Sequence, residues 1–144
     1  MTDDTKSGFS AVERDAMKQR AAELRAEKKG GDKRARGLKD LLSKVADMSQ
    51  PDRGLAEKIH EIITENAPEL EPKTWYGMPA YARDGKVLCF FQPAEKFGVR
   101  YATLGFEGIA RLDDGTVWPT AFAITEIGAA EEKKIAELVR RAVS

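Results

Sequence analysis

The dipeptide Asp84-Gly85 constrains this chain more than any other feature of its sequence. It stands between two runs of strand-forming composition, Met78–Arg83 and Lys86–Gln92. Asp-Gly tolerates the positive φ angles that both central residues of a tight hairpin turn need. The sequence therefore predicts a β-hairpin, and with it an antiparallel sheet. Segments 97–104 and 116–125 are predicted as a third and a fourth strand, and Pro119 restricts the latter to a sheet edge or a bulge.

Apolar residues recur at helical spacing on both sides of this strand region. The pattern predicts helices at 38–48, from Pro51 to just before Pro68, and at Ala129–Ala142. The predicted order of the domain is thus α-α-β-β-β-β-α. This order is typical of an α+β fold in which helices pack on one face of an antiparallel sheet of four to five strands.

The N-terminal region is predicted to be a helical arm outside this domain. Ser10 and Glu13 have the spacing of a capping box, which favours a helix over residues 9–29. Its apolar stripe is thin, and a charged, glycine-containing linker follows at 30–37. We therefore predict two parts, an arm with its linker at 1–37 and a domain at 38–144, with the arm mobile or weakly docked.

Composition excludes several classes of protein. The chain has one cysteine, so no internal disulfide can form, and it has no apolar run long enough to cross a membrane. Residues 41–144 carry 13 Lys and Arg against 16 Asp and Glu, which disfavours a nucleic-acid-binding protein. The cytoplasm is the expected location. A protein partner or a small molecule remains open as a ligand.

Two motifs stand out, Trp-Tyr-Gly-Met-Pro-Ala-Tyr at 75–81 and Asp-Gly-Thr-Val-Trp-Pro at 114–119. They resemble motifs of the YdhG-like family, a bacterial domain of unknown function. The resemblance covers residues 38–144. That family is grouped with frataxin-like proteins, and some of its members are described as iron chaperones. The resemblance thus implies an α/β sandwich and iron handling.

An acidic stripe provides a candidate metal surface. Glu57, Glu61 and Glu65 follow one another at four-residue intervals, and Glu57 forms a Glu-x-x-His pair with His60. Carboxylates can hold hard cations such as Fe²⁺ loosely. The single histidine excludes a closed di-iron site within one subunit. The first functional hypothesis is therefore a non-enzymatic, iron-handling module. The alternative is a solvated helix face with His60 at its boundary.

Aromatic residues provide a second candidate site, for a small ligand or a protein partner. Strand alternation puts Met78 and Ala80 on one face of the sheet and Tyr81 on the other. If helices cover one face, the open face would present rings to solvent. The candidate residues are Trp75, Tyr76, Met78, Tyr81, Arg100, Tyr101 and Trp118. The alternative is that these rings complete the core or a dimer interface.

An enzyme ranks last of the three hypotheses, because the sequence contains no catalytic motif. The sequence has no Cys-x-x-Cys, no glycine-rich phosphate loop and no nucleophile elbow. Cys89 lies in an apolar strand, where a cysteine is more often inert than nucleophilic. We therefore predict no catalytic residue, and no cofactor other than weakly bound iron.

Overall fold

The computed structural model describes residues 9–28 and 32–144. These residues form five helices and a five-stranded antiparallel sheet, which confirms the predicted α+β class. In chain order the elements are α1 (Ala11–Lys28), α2 (Lys33–Ala46), α3 (Asp52–Asn66), β1 (Glu71–Trp75), β2 (Met78–Arg83), β3 (Lys86–Gln92), α4 (Ala94–Phe97), β4 (Ala102–Phe106), β5 (Ala121–Ile124) and α5 (Ala129–Ala142). None of the helices in the described part of the chain is long and apolar enough to cross a membrane.

The strands lie in the order β1-β2-β3-β4-β5, so each strand pairs with the next one along the chain. The predicted hairpin is confirmed, because Asp84 and Gly85 have φ angles of 51° and 80° and Arg83 pairs with Lys86. A second tight turn joins β1 to β2. Its central residues, Tyr76 and Gly77, also have positive φ angles, of 54° and 77°.

Two predicted strands were wrong in their extent, and one strand was missed. The predicted third strand at 97–104 begins only at Ala102, because α4 precedes it and ends at Gly98 in the left-handed conformation. The predicted fourth strand at 116–125 is limited to Ala121–Ile124, so Pro119 lies before it. The first strand, β1, was not predicted at all.

The predicted linker at 30–37 is also wrong from residue 33 onward, where α2 begins. Asp32 caps this helix by accepting a hydrogen bond from the Ala35 amide, at 3.1 Å. Gly37 lies within α2 and lets it approach β1 closely, since a Cβ atom there would collide with the carbonyl oxygen of Pro72. The predicted hinge at Gly30-Gly31 lies outside the described residues. The division of the chain at 37/38 into two parts stays a prediction.

One face of the sheet forms the core. The pairing register puts Tyr81, Cys89, Phe106, Phe91 and Leu104 on this face, and each is at most 5% exposed. They belong to one cluster with apolar side chains of α2, α3 and α5, namely Leu41, Val45, Ile59, Ile63, Ile135 and Val139. The three core helices therefore cover this face, and the other face, which carries Trp75 and Phe90, stays partly open.

Candidate functional site

The turn between β1 and β2 holds a carboxylate from α1. The backbone N–H groups of Tyr76 and Gly77 donate to the two carboxylate oxygens of Glu23, both at 3.0 Å. The two positive φ angles point these consecutive N–H groups to one side, and such an arrangement forms an anion-binding concavity. Residues Trp75–Met78 are called the anion seat below.

Lys96 closes one side of the anion seat. Its ammonium group donates to the Gly77 carbonyl oxygen at 3.2 Å and to the Gln19 side chain at 3.1 Å. Burial lowers the pKa of Lys96, and the charge of Lys44 acts in the same direction. The nearby carboxylates, that of Glu23 among them, oppose this change.

Aromatic rings form the other side of the anion seat. The ring of Trp75 lies 5.1 Å from that of Tyr76 and 5.4 Å from that of Phe90. Tyr76 is 36% exposed, and the guanidinium of Arg20 lies 6.0 Å from the centre of its ring. The anion seat thus combines two directed N–H groups with an accessible aromatic surface.

Helix α1 is held on the sheet mainly by polar contacts. Glu27 pairs with Lys73 of β1 at 3.0 Å. Burial raises the pKa of Glu27, but the hydrogen bond and the charge of Lys73 outweigh it and leave that pKa below its usual value. Of the side chains at 11–27, Ala16 alone is buried. The large apolar side chains of α1, Val12, Met17 and Leu24, are 38–43% exposed.

A separate pocket brings together two residues that the sequence analysis assigned to different sites. The Tyr81 hydroxyl lies 2.9 Å from Nδ1 of His60, and their rings are stacked with centres 5.9 Å apart. Both side chains line a cavity of about 130 Å³ between α2, α3 and the first two strands. Burial raises the pKa of Tyr81 well above its usual value and lowers the pKa of His60.

The remaining residues of the predicted aromatic site lie apart. Tyr81 is 2% exposed, so its predicted place on the open face is wrong: it lies on the core face and contacts His60 of α3. Arg100 and Tyr101 lie in the loop before β4, where the guanidinium stacks on the phenol ring at 5.1 Å. Trp118 packs against the core cluster from the loop before β5. Met78 is buried at the base of the anion seat.

The predicted acidic stripe is exposed on α3. Glu57, Glu61 and Glu65 are all solvent-accessible, and Glu61 lies 3.8 Å from the ammonium of Lys58. Over residues 9–28 and 32–144, no group of three or more His, Cys, Asp or Glu side chains could hold a metal ion. Loose binding of iron to this face stays a prediction.

Sequence reasoning missed Glu23, Gly77 and Lys96, which complete the anion seat. It also missed Arg34, which lines the cavity beside His60 and Tyr81. Tyr76-Gly77 was one available signal, because an X-Gly pair between two short runs is typical of a tight turn. Nothing in the sequence indicates that Glu23 reaches this turn, more than fifty residues away.

Comparisons of this chain with protein-family models, with curated proteins and with solved structures gave no match.

Proposed function

We propose that this chain is a binding module that takes an acidic protein segment on the anion seat, and that α1 occupies the seat when no partner is bound. The observation that carries this proposal is the pair of hydrogen bonds from Tyr76 and Gly77 to Glu23. Hydrogen bonds to an ionised carboxylate are shorter and stronger than neutral ones. Because the carboxylate of Glu23 occupies the seat in the free chain, we expect the partner to present a carboxylate as well.

The surroundings of the seat suit a protein partner. Aromatic rings contribute strongly at protein interfaces, and the exposed Tyr76 and the half-buried Trp75 flank the two N–H groups. Lys96 adds a positive charge on the opposite side. A segment that presents one carboxylate beside an apolar side chain would satisfy all three features.

The weak attachment of α1 makes exchange with a partner feasible. Its large apolar side chains stay exposed, so displacing the helix uncovers little buried apolar surface. Segments with few buried apolar contacts detach at low free-energy cost. Because α1 is tethered to the same chain, a partner segment would need contacts good enough to overcome the high effective concentration of α1 at the seat.

The test uses the full chain in which the residue that occupies the anion seat, Glu23, has been replaced. The variant Glu23→Ala removes the carboxylate but keeps a good helix former in α1. The probe is a synthetic peptide with the sequence of residues 9–28, titrated into the ¹⁵N-labelled protein. We expect saturable shifts of the Tyr76 and Gly77 amides, with an affinity at least about tenfold higher than for the unchanged chain, whose own Glu23 competes.

A matched control removes a different carboxylate from the same helix. Glu13 accepts a hydrogen bond from the Ser10 amide of its own capping box. The Glu13→Ala chain should therefore bind the peptide as weakly as the unchanged chain does. If the Tyr76 and Gly77 amides of Glu23→Ala stay unmoved at millimolar peptide, the proposed function is wrong.

A further inference from the structure

The pocket that contains His60 and Tyr81 is independent of the anion seat and has its own chemistry. Its walls are mainly apolar and come from α2, α3, the segment that joins α3 to β1, and the first two strands, with Leu38, Ile63, Leu70 and Pro72 among them. A cavity of about 130 Å³ admits only a small molecule. Apolar walls with a few convergent polar groups are typical of small-ligand sites.

The side chains of His60 and Arg34 supply hydrogen-bond donors to the pocket, and the hydroxyl of Thr64, which also lines it, can donate or accept. Because burial keeps the Tyr81 hydroxyl protonated, we assign it as the donor to Nδ1 of His60. A neutral imidazole that accepts at Nδ1 carries its hydrogen on Nε2. Among the residues that the structure describes, none accepts a hydrogen bond from this Nε2–H group.

Arg34 supplies a positive charge to the pocket. It is the one charged side chain among the lining residues, which include no Asp or Glu. One of its terminal nitrogens donates to the Pro68 carbonyl oxygen at 2.8 Å, which ties the guanidinium to the end of α3. Its remaining N–H groups can form the paired hydrogen bonds that suit a carboxylate.

We propose that this pocket binds a small aliphatic monocarboxylate, with the carboxylate on Arg34 and on Nε2–H of His60. The hydrocarbon chain of the ligand lies against Leu38, Ile63 and Leu70. A carboxylate satisfies the unpartnered donor and the positive charge, whereas an ammonium group would satisfy neither. The apolar walls favour a ligand with a hydrocarbon chain over inorganic phosphate.

The single histidine of the chain makes the test direct, since its imidazole gives one set of NMR signals. Sodium butyrate titrated at a fixed pH of about 7.5, above the usual His pKa, should shift these signals saturably. The expected dissociation constant is on the order of 1 mM, as suits a ligand of so few atoms. The ¹⁵N shifts of the free protein should show the hydrogen on Nε2.

Variants and alternative probes make the outcome decisive. Arg34→Gln should weaken butyrate binding at least about tenfold. Lys39→Gln, which removes an exposed charge from the same helix outside the pocket, should leave binding unchanged. Neither butylammonium nor inorganic phosphate should match butyrate. Equal binding of phosphate, an unchanged affinity in Arg34→Gln, or unmoved imidazole signals would each overturn the proposal.

Discussion

The ring of Phe90 on β3 lies directly over Gly105, its cross-strand partner on β4. A Cβ atom added at Gly105 would lie 2.6 Å from Cε1 of the Phe90 ring, which is closer than real contacts allow. The glycine thus makes room for a ring that also packs against Trp75. The open face of the sheet therefore carries packed aromatic rings, those of Trp75 and Phe90. The lack of a side chain at Gly105 leaves the space that the Phe90 ring occupies.

Gly105→Ala should destabilise the fold, because the Phe90 ring must leave its position. Overpacking of this kind costs about 1–3 kcal/mol in free energy of unfolding, measurable by urea titration. Gly108→Ala is the matched control, since Gly108 has no atom within 4 Å of the added Cβ and no positive φ angle. It should change stability by less than about 0.5 kcal/mol. Equal effects of the two substitutions would contradict the packing role of Phe90.

The parts of the fold that the sequence predicted are those with local signals. Asp84-Gly85 specifies its hairpin through backbone preferences alone, and Ala129–Ala142 carries an apolar face with charges that suit the helix dipole at both ends. Strand β1 has no such signal. Its sequence, Glu-Pro-Lys-Thr-Trp, contains poor strand formers, and its structure depends on pairing with β2 and packing against α2.

In the segment after Pro93, the local sequence favours a strand that begins later than predicted. Val99 and Tyr101 favour a strand by composition. However, Gly98 adopts a left-handed conformation at the end of α4, with a φ angle of 65°, and the strand begins only at Ala102.

The candidate sites were partly predicted, because Trp75, Tyr76, His60 and Tyr81 were all named. Their contacts were not predicted, because they join residues distant in the sequence: His60 and Tyr81 are 21 positions apart, and Tyr76 and Glu23 are 53.

The stability of the fold should fall as the pH drops through the range in which His60 titrates. Burial lowers the pKa of His60 below its usual value of 6.5, so the unfolded chain takes up the proton first as the pH falls. The contribution of neutral His60 is therefore fully present above about pH 6.5 and decreases below it. Thermal midpoints measured between about pH 7.5 and 5.5 should show this decrease.

The variant His60→Gln isolates this effect, because it removes the titrating group and keeps a polar side chain. Its midpoint should depend less on pH over the same range. The pKa of His60 itself, read from its imidazole signals, should lie below the usual value. A pKa above that value, or an unchanged pH dependence in His60→Gln, would contradict the prediction.

Cys89 should not react with thiol reagents in the folded protein. It is fully buried in β3, and burial raises its pKa to about 12. At pH 8 only about one thiol in 10⁴ would then be ionised, and the thiolate is the reactive form. An aromatic disulfide reagent should therefore label the native chain at the rate of unfolding, and the urea-unfolded chain at once. Rapid labelling of the native chain would contradict the buried position of Cys89.

Deletion of residues 1–31 should leave the domain folded and only slightly less stable. The deletion ends before Asp32 because this residue caps α2. The polar contacts of Glu23 and Glu27 attach α1 to the sheet, and its large apolar side chains bury little surface there. Loss of α1 therefore removes few contacts that stabilise the rest of the domain. The expected fall in thermal midpoint is therefore less than about 5 °C.

The single substitution Glu23→Ala provides the comparison for this deletion. If the two hydrogen bonds to the anion seat are the main attachment of α1, Glu23→Ala should lower the midpoint nearly as much as the whole deletion does. A fall of more than about 5 °C on deletion corresponds to roughly 1 kcal/mol or more for a domain of this size. Such a fall would show that α1 is an integral helix of the fold, and that a partner could not displace it easily.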